Sequence, residues 1–526
     1  MNQVRSTRAA LDGDQRKIVV AVSVSAVTLL TLSASFNYVL PDMLTDLDAT
    51  DSQTDMARQI PTIAALLVIF VAGAIGERLG ARRVMLVSTL LYALGSAIVV
   101  AAPIMPVATL GLLFANVGKS ALFVVGLAHM SSHIADKDGR AAAFASFSAV
   151  MPVTYLLMPL VAGVMLANTS WRMVAVVWCL SGFVGTIAVW RLLPADSRFT
   201  RSAGELLTPA LAGLVLAALV QVVTVLPDNG VTTRVAITLA IGAVAFVSLV
   251  IAMRRMSRPT LSLAPLRHGG LVLLLIVLIL TMFANLWFYM TLALQYMFGL
   301  TALQVALVLV PAQLATIAGA GLSGKFVQRK GIATAGTVLL VIVAMALAAS
   351  TLINLTTPVW VAVLIVSIYS AAAVGSGVAL TNAIMDLADE GEDGSAAAFR
   401  GAASNLGSAI GVAAMTSIVF FAAATSLQSQ AAAAGLDPTT ASEVATAMRD
   451  GATSEDTSSL YSVPVAEVDQ INSMQQQAYV AGLRAHGAAG GAVTLVAAAL
   501  FYVVRRRQES RTAANADVQA VGGPTG

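Results

Sequence analysis

The sequence predicts an all-α polytopic membrane protein with fourteen transmembrane helices. Three observations predict it. Apolar runs of membrane length recur along the whole chain, only 11% of its 526 residues are charged against 58% hydrophobic, and Lys and Arg crowd into alternate loops. A soluble domain carries about 25% charged residues, so a water-facing surface cannot be built from this composition. A spanning helix needs about 20 mostly apolar residues, and a helix satisfies every backbone polar group within its own segment.

The runs fall at 18–41, 60–76, 83–103, 107–130, 141–166, 171–192, 207–226, 233–253, 269–294, 302–324, 333–353, 358–385, 398–424 and 480–504. The first follows Arg5, Arg8, Arg16 and Lys17. It exceeds a signal-peptide core of roughly 7–15 residues, so it reads as an uncleaved span. Of the 30 Lys and Arg, 24 lie in one set of alternate loops and only Arg58, Arg172, Arg234, Arg449 and Arg484 in the other. The positive-inside rule then places both termini in the cytoplasm and requires an even number of spans. The expected location is the plasma membrane. The lone cysteine, Cys179, lies within a run, which excludes a disulfide framework or a cysteine metal site.

The outer loops are acidic where they are charged, with Asp42, Asp46, Asp48, Asp51 and Asp55 after the first span. The long segment 425–479 contains Thr440-x-x-Glu443, a capping-box pattern for a short helix ending at Gly451, and 463–485 has the makings of a second helix. A helical hairpin and a plain solvated spacer both fit this segment. The tail 505–526 is polar and small-residue rich after Arg505–Arg507, a composition expected to be disordered.

Punctuation is densest in Gly73-Ala-Ile-Gly-Glu-Arg-Leu-Gly-Ala-Arg-Arg83, where Gly73, Gly76 and Gly80 close one run and Glu77, Arg78, Arg82 and Arg83 precede the next. A worn copy, Gly321 to Gly331, follows 248 residues later. If spans 1–6 and 9–14 are equivalent halves, both copies follow the second helix of their half. The organisation is then a cytoplasmic N-terminus (1–17), a six-helix bundle (18–192), an inserted pair (207–253), and a second six-helix bundle (269–504) that includes the 425–479 segment. Repeated halves with a site between them are a common transporter plan.

The Gly73–Arg83 stretch resembles the signature loop between the second and third helices of the major facilitator superfamily, with Glu77 where that family usually has Asp. Other stretches are similar to its fourteen-helix drug:proton antiporter branch. They are Asn37-Tyr-Val-Leu-Pro41 with Asp46-Leu47, Met158-Pro-Leu-Val-Ala-Gly163, Trp171-Arg172, Leu294-Gln295 through Pro311, and Leu406-Gly-Ser-Ala-Ile-Gly411. Pro159 and Gly163 belong to the helix-5 antiporter pattern, with Met158 in place of its first glycine. The resemblance implies a multidrug-efflux-like antiporter working by alternating access. It also implies that Glu77 sits near the start of span 13, which carries Arg400. A Glu77–Arg400 latch is expected there, with Arg78 or Arg82 reaching Asp136.

The chain also departs from that branch. Its usual helix-1 Asp position is Leu32, and Asn116 falls near its usual helix-4 Arg. Every Asp and Glu lies in a loop or at a span end, which leaves Lys119 as the ionisable group of consequence in the interior. A central lysine costs roughly 2.5–3.5 kcal/mol on insertion scales. It would bind an anionic substrate group, take part in proton coupling, or be held by neutral polar neighbours. The cavity set is Asn37, Asn116, Lys119, Asn285, Tyr289, Tyr369 and Asn382, around a small-molecule substrate, with protons as the candidate coupling ion. Export is favoured by Pro159 and the resemblance; uptake or uncoupled transport of an anionic metabolite or lipid is the alternative.

Rival classes fare worse. His129-x-x-x-His133 with Asp136 is the one metal-like spacing, and interfacial His is the commoner reading, so no metal is expected. With no phosphate-binding loop and no long cytoplasmic segment, an ATP-driven pump, a membrane enzyme, a cofactor and nucleic-acid contact are not expected either. The sequence carries no signal for oligomeric state. The latch has its own test, a transport assay on Glu77→Arg, Arg400→Glu and the double swap. The double swap should recover part of the flux that each single variant loses, and no recovery over the singles would reject the pairing.

Overall fold

The computed structural model describes residues 12–134, 137–194, 206–229, 232–255, 264–300, 302–387, 393–449, 454–461 and 463–521. The first six spans become α1 (Gly13–Asp46), α2 (Asp51–Leu79), α3 (Ala81–Ala101), α4 (Met105–His133), α5 (Lys137–Asn168) and α6 (Trp171–Leu192). The inserted pair is α7 (Leu207–Asn229) and α8 (Thr233–Arg255). The second half begins with a short α9 (Ala264–Arg267), then α10 (Gly269–Met282) and α11 (Leu286–Tyr296) as one interrupted span. A second interrupted span follows, α12 (Ala302–Val308) and α13 (Val310–Lys330), then α14 (Ile332–Ser350), α15 (Val359–Met385) and α16 (Asp393–Ala433). Between the last two spans lie α17 (Pro438–Arg449) and α18 (Ser454–Tyr461), and α19 (Val465–Val521) closes the described chain. Among the described residues, thirteen helices are long and apolar enough to cross a membrane. With the interrupted α12–α13, they reproduce the fourteen expected spans.

The ninth span is broken at residues 283–285 because its neighbours supply what the break removes. Asn285 caps α11, its side chain accepting from the Phe288 N–H at 3.4 Å. The Tyr369 hydroxyl of α15 donates to the Ala284 carbonyl at 2.6 Å. Irregular backbone at membrane depth survives only when its polar groups are met inside the protein. Gly407 of α16 passes against Ile279 in the last turns of α10 and Gly411 against the break itself, where a Cβ would lie 2.7 Å from Phe283 Cα and Met282 O. The Gly-x-x-x-Gly face is therefore a seat for the kink.

The segment between α16 and α19 is helical and has a core of its own, formed by Leu427, Ala431, Ala441, Val444, Val468 and Ile471. Its cap differs from the expected one. Asp437 starts α17, accepting from the Thr440 N–H and hydroxyl at 2.8 Å each, so Thr440 is the third helical residue and not the cap. These bonds hold the Asp437 carboxyl below the usual carboxylate range. The expected stop at Gly451 lies outside the described residues; α17 extends to Arg449. The second helix of the expected hairpin is the start of α19, and α16 itself runs on for 41 residues. At about 1.5 Å per residue, that is roughly twice the ~30 Å of a bilayer core. The tail also differs, since α19 stays helical to Val521. Arg, Gln, Glu and Ala are good helix formers, and Arg505 anchors the turn to Asp386 at 3.3 Å.

The inserted pair packs through α7 on α2 of the first half and on α16 of the second. Gln59 of α2 accepts from Gln221 of α7 at 2.8 Å and from Arg234 of α8. The outer face of α8 stays open, with Ile237, Val244, Phe246 and Val247 all exposed.

The side of the molecule where α1 begins and α19 leaves its bundle is called here the terminal side. There the two halves share one continuous core. It joins Ile69, Phe70, Leu127 and Phe144 to Leu274, Leu380, Ala397 and Phe501. On the opposite side the buried core divides in two. One part holds Leu32, Met43, Tyr92 and Trp178, and the other Met290, Leu294, Leu347 and Val366. The halves are joined on one side and separate on the other.

A side chain at Gly411 should be costly and one at Gly401 should not. A Cβ at Gly401 meets its nearest atoms at 3.6 and 3.9 Å, ordinary contact. Overpacking costs about 1–3 kcal/mol, so Gly411→Val should lower the melting temperature of the purified protein while Gly401→Ala leaves it unchanged. Equal melting curves for the two would contradict this seat.

Candidate functional site

The loop at Gly73–Arg83 is built on one strained residue. Gly80 has φ +88°, ending α2 and opening α3 in a single step. In L-residues with a Cβ that region is disfavoured. Gly331 repeats the device at φ +78° between α13 and α14. The two caps are 251 residues apart, so the structural register of the repeat differs by three residues from the sequence match.

Of the loop's other members, Gly73 is buried and Gly76 packs on Val125. Arg82 is anchored on α6. It donates to the Trp190 carbonyl at 2.6 Å, in the last turn of α6, where a cation meets the negative end of the helix dipole. Arg78 and Arg83 also have partners. Asp136 and the Glu77 side chain lie outside the described residues, while Arg400 is held from its own half. Its Nε donates to the Thr381 hydroxyl at 2.9 Å, and its guanidinium lies 5.9 Å from the Phe123 ring centroid across the interface. Beside it Phe70 and Phe399 meet edge-on at 5.4 Å. Sequence reasoning missed this aromatic seam, because a phenylalanine in an apolar span carries no signal of which helix it faces.

Above the seam is a cavity of about 260 Å³ between the halves. Lys119, the central residue of α4, lines it with Asn116, Ser33 and Thr62 from the first half and Gly401 and Asn405 from the second. Its ammonium donates to the Ser33 hydroxyl at 3.1 Å. Asn116 and Asn405 each donate to the carbonyl four residues back, at 2.9 and 2.8 Å. Ser120 donates to the Ala65 carbonyl at 2.8 Å, which fixes α4 against α2. Phe123 lines the same cavity, so the seam and the lysine share one wall.

The remaining expected cavity residues are elsewhere. Asn285 and Tyr369 serve the helix break, and Asn382 is buried near the terminal end of α15, bonded to the Val378 carbonyl at 2.9 Å. Tyr289 lines a different cavity, bonded to Thr416 at 3.1 Å. The Asn37 side chain lies outside the described residues. Leu32 is buried in the first half's own core.

The profile of the Major Facilitator Superfamily matches residues 22–412. The chain belongs to that superfamily. Its members are transporters. The human organic anion transporter MFSD10 (TETRAN) superposes with a TM-score of 0.62 at 14% identity, covering 93% of this chain and 99% of that one. The proton:xylose symporter XylE bound to 6-bromo-6-deoxy-D-glucose gives 0.54 at 14%, covering 78% and 90%. A bacterial homologue of the iron transporter ferroportin, in its outward-facing state, gives 0.56 at 10%, covering 88% and 98%. At these identities the likeness shows the fold. No curated protein matches the sequence.

Two further stretches of this superfamily member have structural roles. Asp46, at the end of α1, accepts from the Trp171 indole at 2.9 Å and from Arg172, which also donates to the Ala102 carbonyl at 2.9 Å. Arg172 stacks 4.4 Å over Trp171. This clip ties the ends of α1, α3 and α6 together on the side opposite the termini. Pro159 lies inside α5, and a Cβ on Gly163 would meet no atom within 4 Å among the described residues. That face of α5 is therefore open.

The hydrogen bonds from Arg172 and Trp171 hold the Asp46 carboxyl below the usual carboxylate range. A depressed native pKa contributes stability above the unfolded value, about 3.9, and loses it as pH falls through the native one. Asp46→Asn should therefore melt below wild type at neutral pH, with the gap closing below about pH 4. A gap that does not vary with pH would show that the charge is not what matters.

Proposed function

We propose that this chain is a secondary transporter that exports lipophilic or anionic small molecules by alternating access, with protons as the driving ion. The observation that carries the reading is Lys119 at the middle of α4, facing a cavity lined by both halves. An ammonium at that depth is expensive, and its charge is best used on a group that arrives with the cargo. A carboxylate on the substrate would replace the neutral Ser33 hydroxyl as acceptor and turn the bond into an ion pair, the stronger form of charge-assisted hydrogen bond.

The divided core supports the second part. A transporter needs two arrangements of nearly equal energy, one for each opening. Here the terminal side is sealed by the shared core and the aromatic seam, and the opposite side separates. With the Lys and Arg bias setting the terminal side in the cytoplasm, this is the outward-facing form. The Glu77–Arg400 latch would reinforce the same seal, in series with the Arg400–Thr381 bond. The drug:proton antiporter branch remains the subfamily proposal, resting on Pro159, Trp171-Arg172 and the Gly73–Arg83 loop.

Flux into reconstituted vesicles, with and without a pH gradient, tests the reading. Lys119→Ala should reduce transport of an anionic substrate about tenfold to hundredfold, the equivalent of one charge-assisted hydrogen bond of roughly 1.5–3 kcal/mol. Unchanged flux, or a substrate range confined to quaternary ammonium compounds, would contradict it. Flux driven inward by the gradient would favour uptake.

A further inference from the structure

A second cavity, of about 280 Å³, lies in the other half, between α11, α16, α17 and α19. That is close to the lower end of ordinary ligand pockets, roughly 300–1,000 Å³. We propose that it binds one acyl chain of a bilayer phospholipid, as a site separate from the Lys119 cavity and independent of the cargo.

Three features assign the occupant. The walls are apolar from Phe288 and Leu292 on one side to Val419 and Phe420 on the other. Phe288 and Phe420 line the cavity and are also 46% and 53% exposed on the outer face of their helices, so its mouth opens sideways into the zone that lipid covers. The cavity also crosses the level where α16 turns from an apolar run, Ile418 to Ala424, to the polar Thr425-Ser-Leu-Gln-Ser-Gln430. Ser442 and Gln475 line it beyond that level. An apolar lower part entered from the side, with polar groups at headgroup height, has the chemistry of a lipid chain and its ester region. A freely soluble polar ligand would have no partner along most of that wall.

The floor gives the site a route to the moving parts. Tyr289, which lines it, lies one turn beyond the break at 283–285, hydrogen-bonded to Thr416 and with its ring tilted against the His486 ring at 4.2 Å between centroids. His486 is fully buried, and neither ring nitrogen has a hydrogen-bond partner among the described residues. A chain seated here bears on α11 and α16 together.

The experiment uses the full-length protein in nanodiscs of phosphatidylglycerol and phosphatidylethanolamine. A small fraction carries a photoactivatable diazirine in one acyl chain, and a parallel arm instead adds a free diazirine fatty acid. Adducts are mapped by peptide mass spectrometry. The phospholipid probe should label residues 288–293 and 416–427 well above the exposed face of α8. Ala424→Trp and Ser442→Phe, both at exposed lining positions, should cut that labelling severalfold and leave α8 unchanged. Labelling no denser than on α8, labelling insensitive to both variants, or labelling by the fatty acid alone would overturn the proposal. Melting curves of the two variants show whether either fails to fold, and the other then decides.

Discussion

The two halves share a buried core on one side of the membrane zone only. The alternating-access proposal depends on that asymmetry. A core common to both halves has no water or lipid at the interface, so separating them there exposes apolar surface at about 25 cal/mol per Å². On the opposite side each half has completed its own core and loses nothing by standing apart. The form observed is stable for that reason, and under the alternating-access proposal the other form would compensate by closing the far side. The open face of α5 at Gly163 is where such closure would find room.

Polar groups follow the same division. Within the first half, Thr31, Tyr92 and Ser181 form a buried hydrogen-bonded set at 2.8 and 3.1 Å, and Trp178 donates to Ser35 at 2.8 Å. These bonds tie α1, α3 and α6 into a rigid unit, and the Asp46 clip closes its outer end. Among the described residues, the contacts named above between the halves are of another kind. The Arg400 guanidinium lies over the Phe123 ring, and Phe70 meets Phe399 edge-on. Apolar and aromatic contacts of this kind can slide without leaving a buried hydrogen-bonding group unpaired, which would cost about 1–3 kcal/mol, so the proposed Glu77–Arg400 latch would be the polar link that has to open.

Much of the fold was legible in the sequence. Run lengths located all fourteen spans, because the bilayer sets one length scale for every helix, and the Gly73–Arg83 and Gly321–Gly331 stretches marked equivalent turns in both halves, three residues out of the register that the caps Gly80 and Gly331 show. The interruption at 283–285 was hidden because Phe283-Ala-Asn285 sits inside an apolar run, and the groups that hold it, Tyr369 and Gly411, are distant in sequence. The candidate site was legible only at its centre. Lys119 stood out because a charge in a span has no ordinary explanation, and Asn116 came with it. Asn285, Tyr369 and Asn382 were equally polar and also lie within spans, yet each serves its own backbone or a neighbouring helix. Polarity in a span identifies a residue that needs a partner and does not say whether that partner is substrate or protein. Trp171-Arg172 and Asp46 were each noticed, but their pairing needed the third dimension.

The central claim is that one set of contacts opens as the other closes. Double electron–electron resonance on a Cys179→Ser background tests it most directly, since that removes the single native cysteine. One label pair belongs on the terminal side, at Leu79 and Lys330, and the other on the opposite side, at Ile104 and Leu352; all four residues are exposed. Across a pH titration with cargo present, the terminal-side distance should lengthen as the opposite-side distance shortens, in matching population shifts. Distances that change together, or on one side only, would contradict alternation about the Lys119 cavity.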